Sequence, residues 1–318
     1  GRGMVFIAQD TRGRGESEGK DMVFADDGWG ERQDGADTVD WILEQPWCNG
    51  KVGTWGGSAL GITQVLMAGA TQKIAAQSIL VAASDFYGQL SYQGGVWRKA
   101  LIERWTKGQK NDDIWEVWKA HPTYDDFWKL CNAEEKAPQV TAPALHVGGW
   151  WDIFAQGTIN NFVTRQYNGG DGAKGNQKLI MGPWIHGPKR KVGDLELPEN
   201  FNYDFMGYEK KFMAYWLLGE ENGIMKEAPI NYYTIGDADH PEGPGNEWRT
   251  ANDWPPFPTV ETAYFLCPKN SLKPGDTPSK SREVTYAYDP ADPCPTHGGQ
   301  NLLIPAGPFD QRKVSGRK

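Results

Sequence analysis

Residues 52–61, VGTWGGSALG, are the most informative part of the sequence. An apolar run, Val52–Trp55, leads through two glycines into Ser58, and a helical pattern starts directly after that serine. A serine on a sharp turn between a strand and a helix stands exposed above a sheet, where its hydroxyl can act as a nucleophile. Gly61 follows by three residues rather than two, which departs from the G-x-S-x-G pattern. Taken alone, an ordinary glycine-rich turn explains the segment equally well.

Strand and helix patterns alternate on both sides of this stretch. Before it, Met4–Ala8 is a short apolar run that predicts a buried strand, and Asp34–Glu44 has apolar residues on one helical face. After it, a helical pattern at Leu60–Ala70 is followed by a strand candidate at Ala75–Ala82. Such alternation indicates a parallel sheet flanked by helices, the α/β class.

The alternation returns further along the chain. Ala144–Val147 and Lys178–Met181 predict two more strands, with a helical pattern at Gln156–Gln166 between them. A helical pattern at Tyr203–Leu218 stops at Gly219, a residue suited to a helix end.

Two segments break the pattern. Residues 84–138 carry tryptophans among charged residues without strand alternation, and predict a helical insertion. After residue 227, short strand candidates separated by Pro/Gly turns predict a β-sandwich. These candidates are Ile230–Ile235, Thr262–Leu266 and Glu283–Tyr288. The predicted domains are a core in two parts (1–83 and 139–226), a helical cap (84–138) and a C-terminal β-domain (227–318). We expect the core and the β-domain to be truncated, since the chain starts near a strand and ends without a closing element.

Composition excludes several classes of protein. No run approaches 18 apolar residues, so no membrane-spanning helix is expected. The formal net charge is −8, whereas binding to the phosphate backbone of a nucleic acid requires a positively charged surface. Nucleic acid is therefore not an expected partner. Four cysteines without C-x-x-C spacing and only five histidines predict neither a metal site nor a cofactor.

One perfect G-x-S-x-G occurs at residues 15–19, and we reject its serine as the nucleophile. Ser17 lies nine residues past the strand candidate Met4–Ala8, between Glu16 and Glu18, whose charges would oppose a developing oxyanion. A solvated polar loop explains this segment better.

Two later residues favour Ser58. Where a serine stands on such a turn, an acid and then a histidine follow it in the chain, each at the C-terminal end of a strand. Asp152 follows Ala144–Val147, and His186 follows Lys178–Met181. The remaining histidines lie inside a strand or in the other two segments and fit less well.

Three motifs resemble the serine, aspartate and histidine motifs of the cocaine esterase/X-prolyl dipeptidyl aminopeptidase (CocE/NonD, S15-like) family. They are GGSALGITQ at 56–64, GGWWDIF at 148–154 and LIMGPWIHG at 179–187. The turn AQDTRGRG at 8–15 and the C-terminal segments EWR, WPP and YDP extend the resemblance over nearly the whole chain. It implies an α/β-hydrolase core with a helical cap and a C-terminal jelly roll.

The resemblance also implies roles for single residues. Ser58 is the nucleophile, His186 the base and Asp152 the acid that orients the base. The backbone N–H of Ala59 is the first oxyanion donor, although the family often has tyrosine at this position. The second donor in the resembling enzymes is a tyrosine from a segment before Gly1, so we expect it to be absent and the isolated chain to be a poor enzyme.

The residue types predict a serine hydrolase. A serine hydroxyl attacks an acyl carbon only when an imidazole takes its proton, here that of His186, whose tautomer Asp152 would fix. The expected substrate is a small-molecule ester, amide or short peptide. We prefer an esterase or acylase over an X-Pro dipeptidyl-peptidase, because no carboxylate can be assigned to a free amino terminus. The acidic pairs Asp112-Asp113 and Asp125-Asp126 are candidates that read equally well as solvated faces.

Tryptophans are the candidates for the substrate pocket, although a core role explains any single one of them. Trp150, Trp151 and Trp184 are expected to wall the site, and Trp97 and Trp105 to line an acyl pocket. The rival from another class is a non-catalytic carbohydrate- or protein-binding protein that uses the jelly roll and exposed tryptophans. A metal-dependent hydrolase is a weaker third. The sequence leaves open a homo-oligomer and the compartment, which could be cytoplasmic, periplasmic or secreted.

The first prediction separates the two serines. Ser58→Ala should abolish covalent labelling by a fluorophosphonate probe, whereas Ser17→Ala should leave it intact, because only Ser58 stands on a strand-to-helix turn. Labelling that survives Ser58→Ala would overturn the assignment.

Overall fold

The structure is a computed structural model that describes residues 3–315 except 112, 238, 241, 268–270, 276–284 and 286. The strands of this part are Val52–Gly57 (β1), Ile74–Leu80 (β2), Tyr92–Gln93 (β3), Val96–Trp97 (β4), Ala144–Gly149 (β5), Gln177–Gly182 (β6), Lys191–Val192 (β7), Leu195–Glu196 (β8), Ile230–Thr234 (β9), Glu247–Ala251 (β10), Tyr264–Cys267 (β11) and Ser271–Pro274 (β12). The α-helices are Asp34–Leu43 (α1), Ala59–Met67 (α2), Lys99–Gly108 (α3), Ile114–Lys119 (α4), Asp126–Lys129 (α5), Ala155–Asn168 (α6), Phe205–Met213 (α7) and Arg312–Ser315 (α8).

Six strands form a central sheet in the order β1-β2-β5-β6-β9-β10. The first five run parallel, and β10 is antiparallel to β9. Alternate residues of β6 point to opposite faces, where Leu179 and Met181 pack with Phe162 of α6 and Ile180 packs with Phe212 of α7. Because helices cover both faces, β5 and β6 are buried along their whole length, as parallel strands usually are. This is the predicted α/β class.

Helix α7 ends as the sequence predicts. After Met213 the chain forms a π-helical turn, Ala214–Leu218, and Gly219 follows with a left-handed backbone at φ 73°. A residue with a side chain would be strained there, so glycine suits the end of the helix.

One strand lies in a different sheet from the one expected. The segment Ile230–Ile235 was assigned to the C-terminal β-domain, but β9 pairs in parallel with β6 and β10 then pairs with β9. Ile230 is fully buried with Leu179, so the central sheet gives this strand its apolar environment. Beyond it, β11 and β12 form a separate hairpin where Thr262–Leu266 was predicted. Half of Glu283–Tyr288 lies outside the described residues, and the β-sandwich stays a prediction.

The prediction of a first strand at Met4–Ala8 is wrong. Met4–Ala8 has no strand hydrogen bonding and lies exposed, with Phe6 77% accessible. β1 lies at the edge of the sheet, and within the described residues no strand pairs with its outer side. An apolar run becomes a strand only where a neighbouring backbone satisfies its N–H and C=O groups.

Residues between β2 and β5 are mainly helical. A π-helical turn at Phe86–Ser91, the small β3–β4 hairpin and helices α3, α4 and α5 pack around two buried indoles. Trp118 and Trp128 are at most 2% exposed, and their ring centroids lie 6.2 Å apart. The predicted helical insertion therefore has its own aromatic core, continuous with that under α2.

This aromatic core should contribute strongly to stability. Trp128→Ala should lower the free energy of unfolding by about 3–5 kcal/mol, because it leaves a cavity and an unpaired His121 carbonyl that the indole N–H now reaches at 2.8 Å. Trp41, 54% exposed, is the control, and Trp41→Ala should change stability by about 0.5 kcal/mol or less. Denaturant titration measures both, and equal losses would contradict this account.

Candidate active site

Ser58 lies on a strained turn between β1 and α2. Its backbone has φ 57° and ψ −121°, a combination that side chains disfavour. Gly56, at φ 148°, allows the end of β1 to lie close to the first turn of α2. A Cβ atom at this position would lie 2.6 Å from the Cβ of Leu60. Val81, just after β2, also has a positive φ of 44°. Such outliers cluster at functional sites, and these two lie at the same end of adjacent strands.

The three residues predicted as a triad are joined by hydrogen bonds. His186 Nε2 lies 2.8 Å from Ser58 Oγ, and His186 Nδ1 lies 2.5 Å from Asp152 Oδ2. Ser58 follows β1, Asp152 follows β5 and His186 follows β6, so all three stand beyond the carboxyl ends of parallel strands. This geometry allows the imidazole to take the serine proton while the carboxylate fixes its tautomer.

Asp152 is fully buried, and both its carboxylate oxygens accept hydrogen bonds. Oδ2 faces His186, and Oδ1 accepts the backbone N–H of Phe154 at 2.8 Å. The ring of Phe154 also meets the His186 imidazole edge-on, with centroids 5.9 Å apart. Sequence reasoning missed Phe154. Its position two residues after the acid, where an N–H can reach back to an aspartate side chain, was the available signal.

The predicted oxyanion donor, the Ala59 backbone N–H, lies at the start of α2. Ser58 donates its own N–H to the Leu80 carbonyl at 2.9 Å, so that group is engaged. Ala59 is the first residue of the helix, where backbone N–H groups have no intrahelical acceptor and the helix dipole favours negative charge. The residue predicted to supply the donor therefore occupies a suitable position.

The tryptophans predicted to wall the site do not share one environment. Trp184 is only 2% exposed, and its ring packs in the core against Phe205 and Trp248, so it is not available to wall an open pocket. Trp150 is half-buried and donates to the Tyr233 carbonyl, and Trp151 is half-buried beside the acid.

The two cap tryptophans are half-buried in the helical segment. Trp97 has the Lys119 ammonium 5.4 Å from its ring, and Trp105 stacks on Phe24 at 5.7 Å. Their pocket role stays a prediction.

The rejected candidates lie elsewhere. The Ser17 hydroxyl donates to the Asp10 carbonyl within a loop. His146 is fully buried, and this burial, with the charge of Arg165, lowers its pKa to about 3, so it is a neutral core residue.

Within the described ranges no three His, Cys, Asp or Glu side chains are placed to hold a metal ion, and no helix is long and apolar enough to cross a membrane.

The fold resembles that of known hydrolases. The structure is similar to that of an aminopeptidase from Thaumarchaeota archaeon, with a TM-score of 0.72 at 21% identity over 97% of this chain and 59% of that one. It is also similar to a CocE/NonD family hydrolase from Staphylococcus aureus, with a TM-score of 0.56 at 20% identity over 73% of this chain and 39% of that one. These likenesses show an α/β-hydrolase-like fold.

The sequence matches the X-Pro dipeptidyl-peptidase (S15) family over residues 1–111 and 99–188, and the chain belongs to this family. It is 28% identical to cocaine esterase from Rhodococcus sp. over 99% of this chain and 62% of that protein. It is also 23% identical to a putative serine esterase of Mycobacterium bovis over 90% of this chain and 54% of that protein. The chain thus spans little more than half the length of these curated relatives.

The hydrogen-bonded chain predicts the effect of changing its acid. Asp152→Asn should lower the rate of fluorophosphonate labelling by about 10⁴-fold, because an amide at this position favours the wrong imidazole tautomer. A matched control exists in the cap, where His121 Nδ1 lies 2.7 Å from Asp125 Oδ2. Asp125→Asn should leave labelling unchanged. If the two variants behave alike, Asp152 does not orient His186 for the reaction.

Proposed function

We propose that this chain is a serine hydrolase that cleaves acyl ester or amide bonds through an acyl intermediate on Ser58. The single observation that carries the proposal is the hydrogen-bonded series from Ser58 through His186 to Asp152 at the strained turn. Family membership and the esterases among the relatives support the same chemistry.

The proposed reaction has two halves. His186 Nε2 takes the proton from Ser58 Oγ as the oxygen bonds to the acyl carbon, and then returns it to the departing alcohol or amine. Asp152, buried and fully hydrogen-bonded, stabilises the imidazolium formed in between. Water then attacks the acyl-serine with His186 again as the base. In this proposal the Ala59 N–H, free of an intrahelical acceptor at the start of α2, is one donor of the oxyanion hole that stabilises negative charge on the acyl oxygen.

Within this class we propose an esterase or acylase rather than an X-Pro dipeptidyl-peptidase. A dipeptidyl-peptidase needs a carboxylate for the free amino terminus of its substrate. In the cap, Asp125 is engaged by His121, and Asp126 by Lys129 at 2.7 Å. The acidic residue Asp112 lies outside the described residues.

The finer architecture is part of the proposal. The helical segment between β2 and β5 acts as a cap, in which Trp97 and Trp105 border the acyl pocket together with Trp150 and Trp151. The residues after β10 belong to a jelly-roll domain. Each of the four tryptophans named for this pocket is half-buried and can contribute aromatic area to it.

Substrate comparison tests this proposal. With p-nitrophenyl acetate and butyrate beside alanyl-prolyl-p-nitroanilide, we expect ester cleavage that exceeds anilide cleavage by at least about tenfold, a difference of about 1.4 kcal/mol in transition-state stabilisation. Ser58→Ala is the control and should remove both activities. Faster anilide cleavage would favour a dipeptidyl-peptidase. If neither the probe nor any substrate reacts, the chain is a binding protein with an inert core.

A further inference from the structure

A buried amide lies directly behind the Ser58 turn. The Gln64 side chain, on the second turn of α2, is 3% exposed. Its Nε2 donates to the Gly56 carbonyl at 3.0 Å and to the Leu60 carbonyl at 2.9 Å. These carbonyls lie two residues before and two residues after Ser58. One amide group therefore bridges the two arms of the strained turn.

Further buried polar groups fix this amide in turn. Thr54, on the same strand as Gly56, donates its hydroxyl to Gln64 Oε1 at 2.8 Å. The Gln77 amide then donates to the Thr54 hydroxyl at 3.1 Å and to the Gln64 carbonyl at 2.9 Å. Behind it, the buried Arg165 guanidinium donates to Gln77 Oε1 at 2.7 Å. Every polar atom of the Gln64 amide is thus committed, and its orientation is fixed.

We propose that Gln64 is a positioning residue that holds the Ser58 hydroxyl in its reactive place. The turn costs conformational energy, and without a brace it can relax by moving its two arms apart. Such a movement shifts Oγ relative to His186 Nε2 and to the Ala59 N–H together. A displacement of about 1 Å at a reacting group lowers a rate by roughly 100-fold. This inference rests on the proposed role of Ser58 as the nucleophile.

The chain contains a matched control for this amide. Gln177, at the start of β6, is 1% exposed, and its Nε2 also donates to two backbone carbonyls, those of Ala142 and Ala173, at 3.3 and 2.7 Å. Its Oε1 lies 3.0 Å from His146 Nε2. Gln177 begins β6, whereas the site lies beyond the other end of that strand, so its loss tests the general cost of removing a buried glutamine.

The experiment compares Gln64→Leu with Gln177→Leu in the full chain. The measured quantity is the limiting rate constant of fluorophosphonate labelling per folded molecule, with the folded fraction taken from the final extent of labelling. We expect Gln64→Leu to lower this rate constant by about 10- to 100-fold, and Gln177→Leu to lower stability while the rate constant stays unchanged. On p-nitrophenyl acetate, Gln64→Leu should lower kcat with little change in KM.

A second variant decides the question if Gln64→Leu does not fold. Thr54→Val removes the hydroxyl that orients Gln64 Oε1 and should lower the labelling rate in the same direction by a smaller factor. Where Gln64→Leu does fold, adding Thr54→Val to it should lower the labelling rate no further, because both changes act through one amide.

Three results would overturn the inference. The first is an unchanged rate constant in Gln64→Leu, or in Thr54→Val where the former is unfolded. The second is equal losses in Gln64→Leu and Gln177→Leu. The third is labelling that persists in Ser58→Ala, which would overturn the proposed function itself, whereas the first two results leave that function standing.

Discussion

The strained backbone of Ser58 is the constraint on which the rest of the site depends. Residues held at such φ and ψ values cost about 1–3 kcal/mol and persist only where their surroundings enforce them. Here the enforcement comes from both sides. The Ser58 N–H is bound to the Leu80 carbonyl, and the Ser58 carbonyl accepts the N–H groups of Gly61 and Ile62 as α2 begins. The turn is therefore part of the sheet and of the helix at once.

The parallel sheet brings distant parts of the chain to this turn. Parallel strands present their carboxyl ends at one edge, and in this class of fold ligands bind there. β1, β5 and β6 deliver Ser58, Asp152 and His186 to that edge, while β2 supplies the carbonyl that fixes the serine backbone. The short segment after each of these strands then sets the distances between the three side chains. The backbone of Trp151, for example, donates to the carbonyl of Trp184 at 2.9 Å, which ties the two loops that carry the acid and the histidine.

Features that depend on local sequence could be predicted, and features that depend on distant partners could not. The strands at Val52, Ala144 and Lys178 follow from apolar runs, and the proximity of the three site residues follows from their positions after those strands. Met4–Ala8 reads as a strand but has no neighbouring strand among the described residues to complete its hydrogen bonds. The sequence around Ile230 is compatible with the central sheet and with the C-terminal β-domain. Its strand pairs with β6, about fifty residues earlier in the chain, and the sequence of a strand does not show which strand it pairs with.

Side-chain direction in the loops escaped prediction for a related reason. Trp184 lies two residues from His186, and nearness in sequence placed both in the site. In the structure the indole folds back over Gly182, where a Cβ atom would lie 2.3 Å from the ring. Because Gly182 has no side chain, the Trp184 indole can lie over it in the core, while the His186 imidazole stays in the site.

Buried polar groups are the least predictable feature, because residue type alone does not reveal them. Gln64, Gln77 and Arg165 read as polar helix or strand positions, yet each is at most 3% exposed. Burial lowers the pKa of Arg165 to about 9, because desolvation disfavours the charged guanidinium. We expect apolar side chains between α2, α6 and the sheet to avoid this desolvation cost, but to provide no directional contact that fixes the helix along the strand. Directional hydrogen bonds tie the start of α2 to the end of β1, and the carbonyls so fixed are those that flank Ser58. Burying these polar groups therefore costs desolvation energy, and their hydrogen bonds define the geometry of the Ser58 turn.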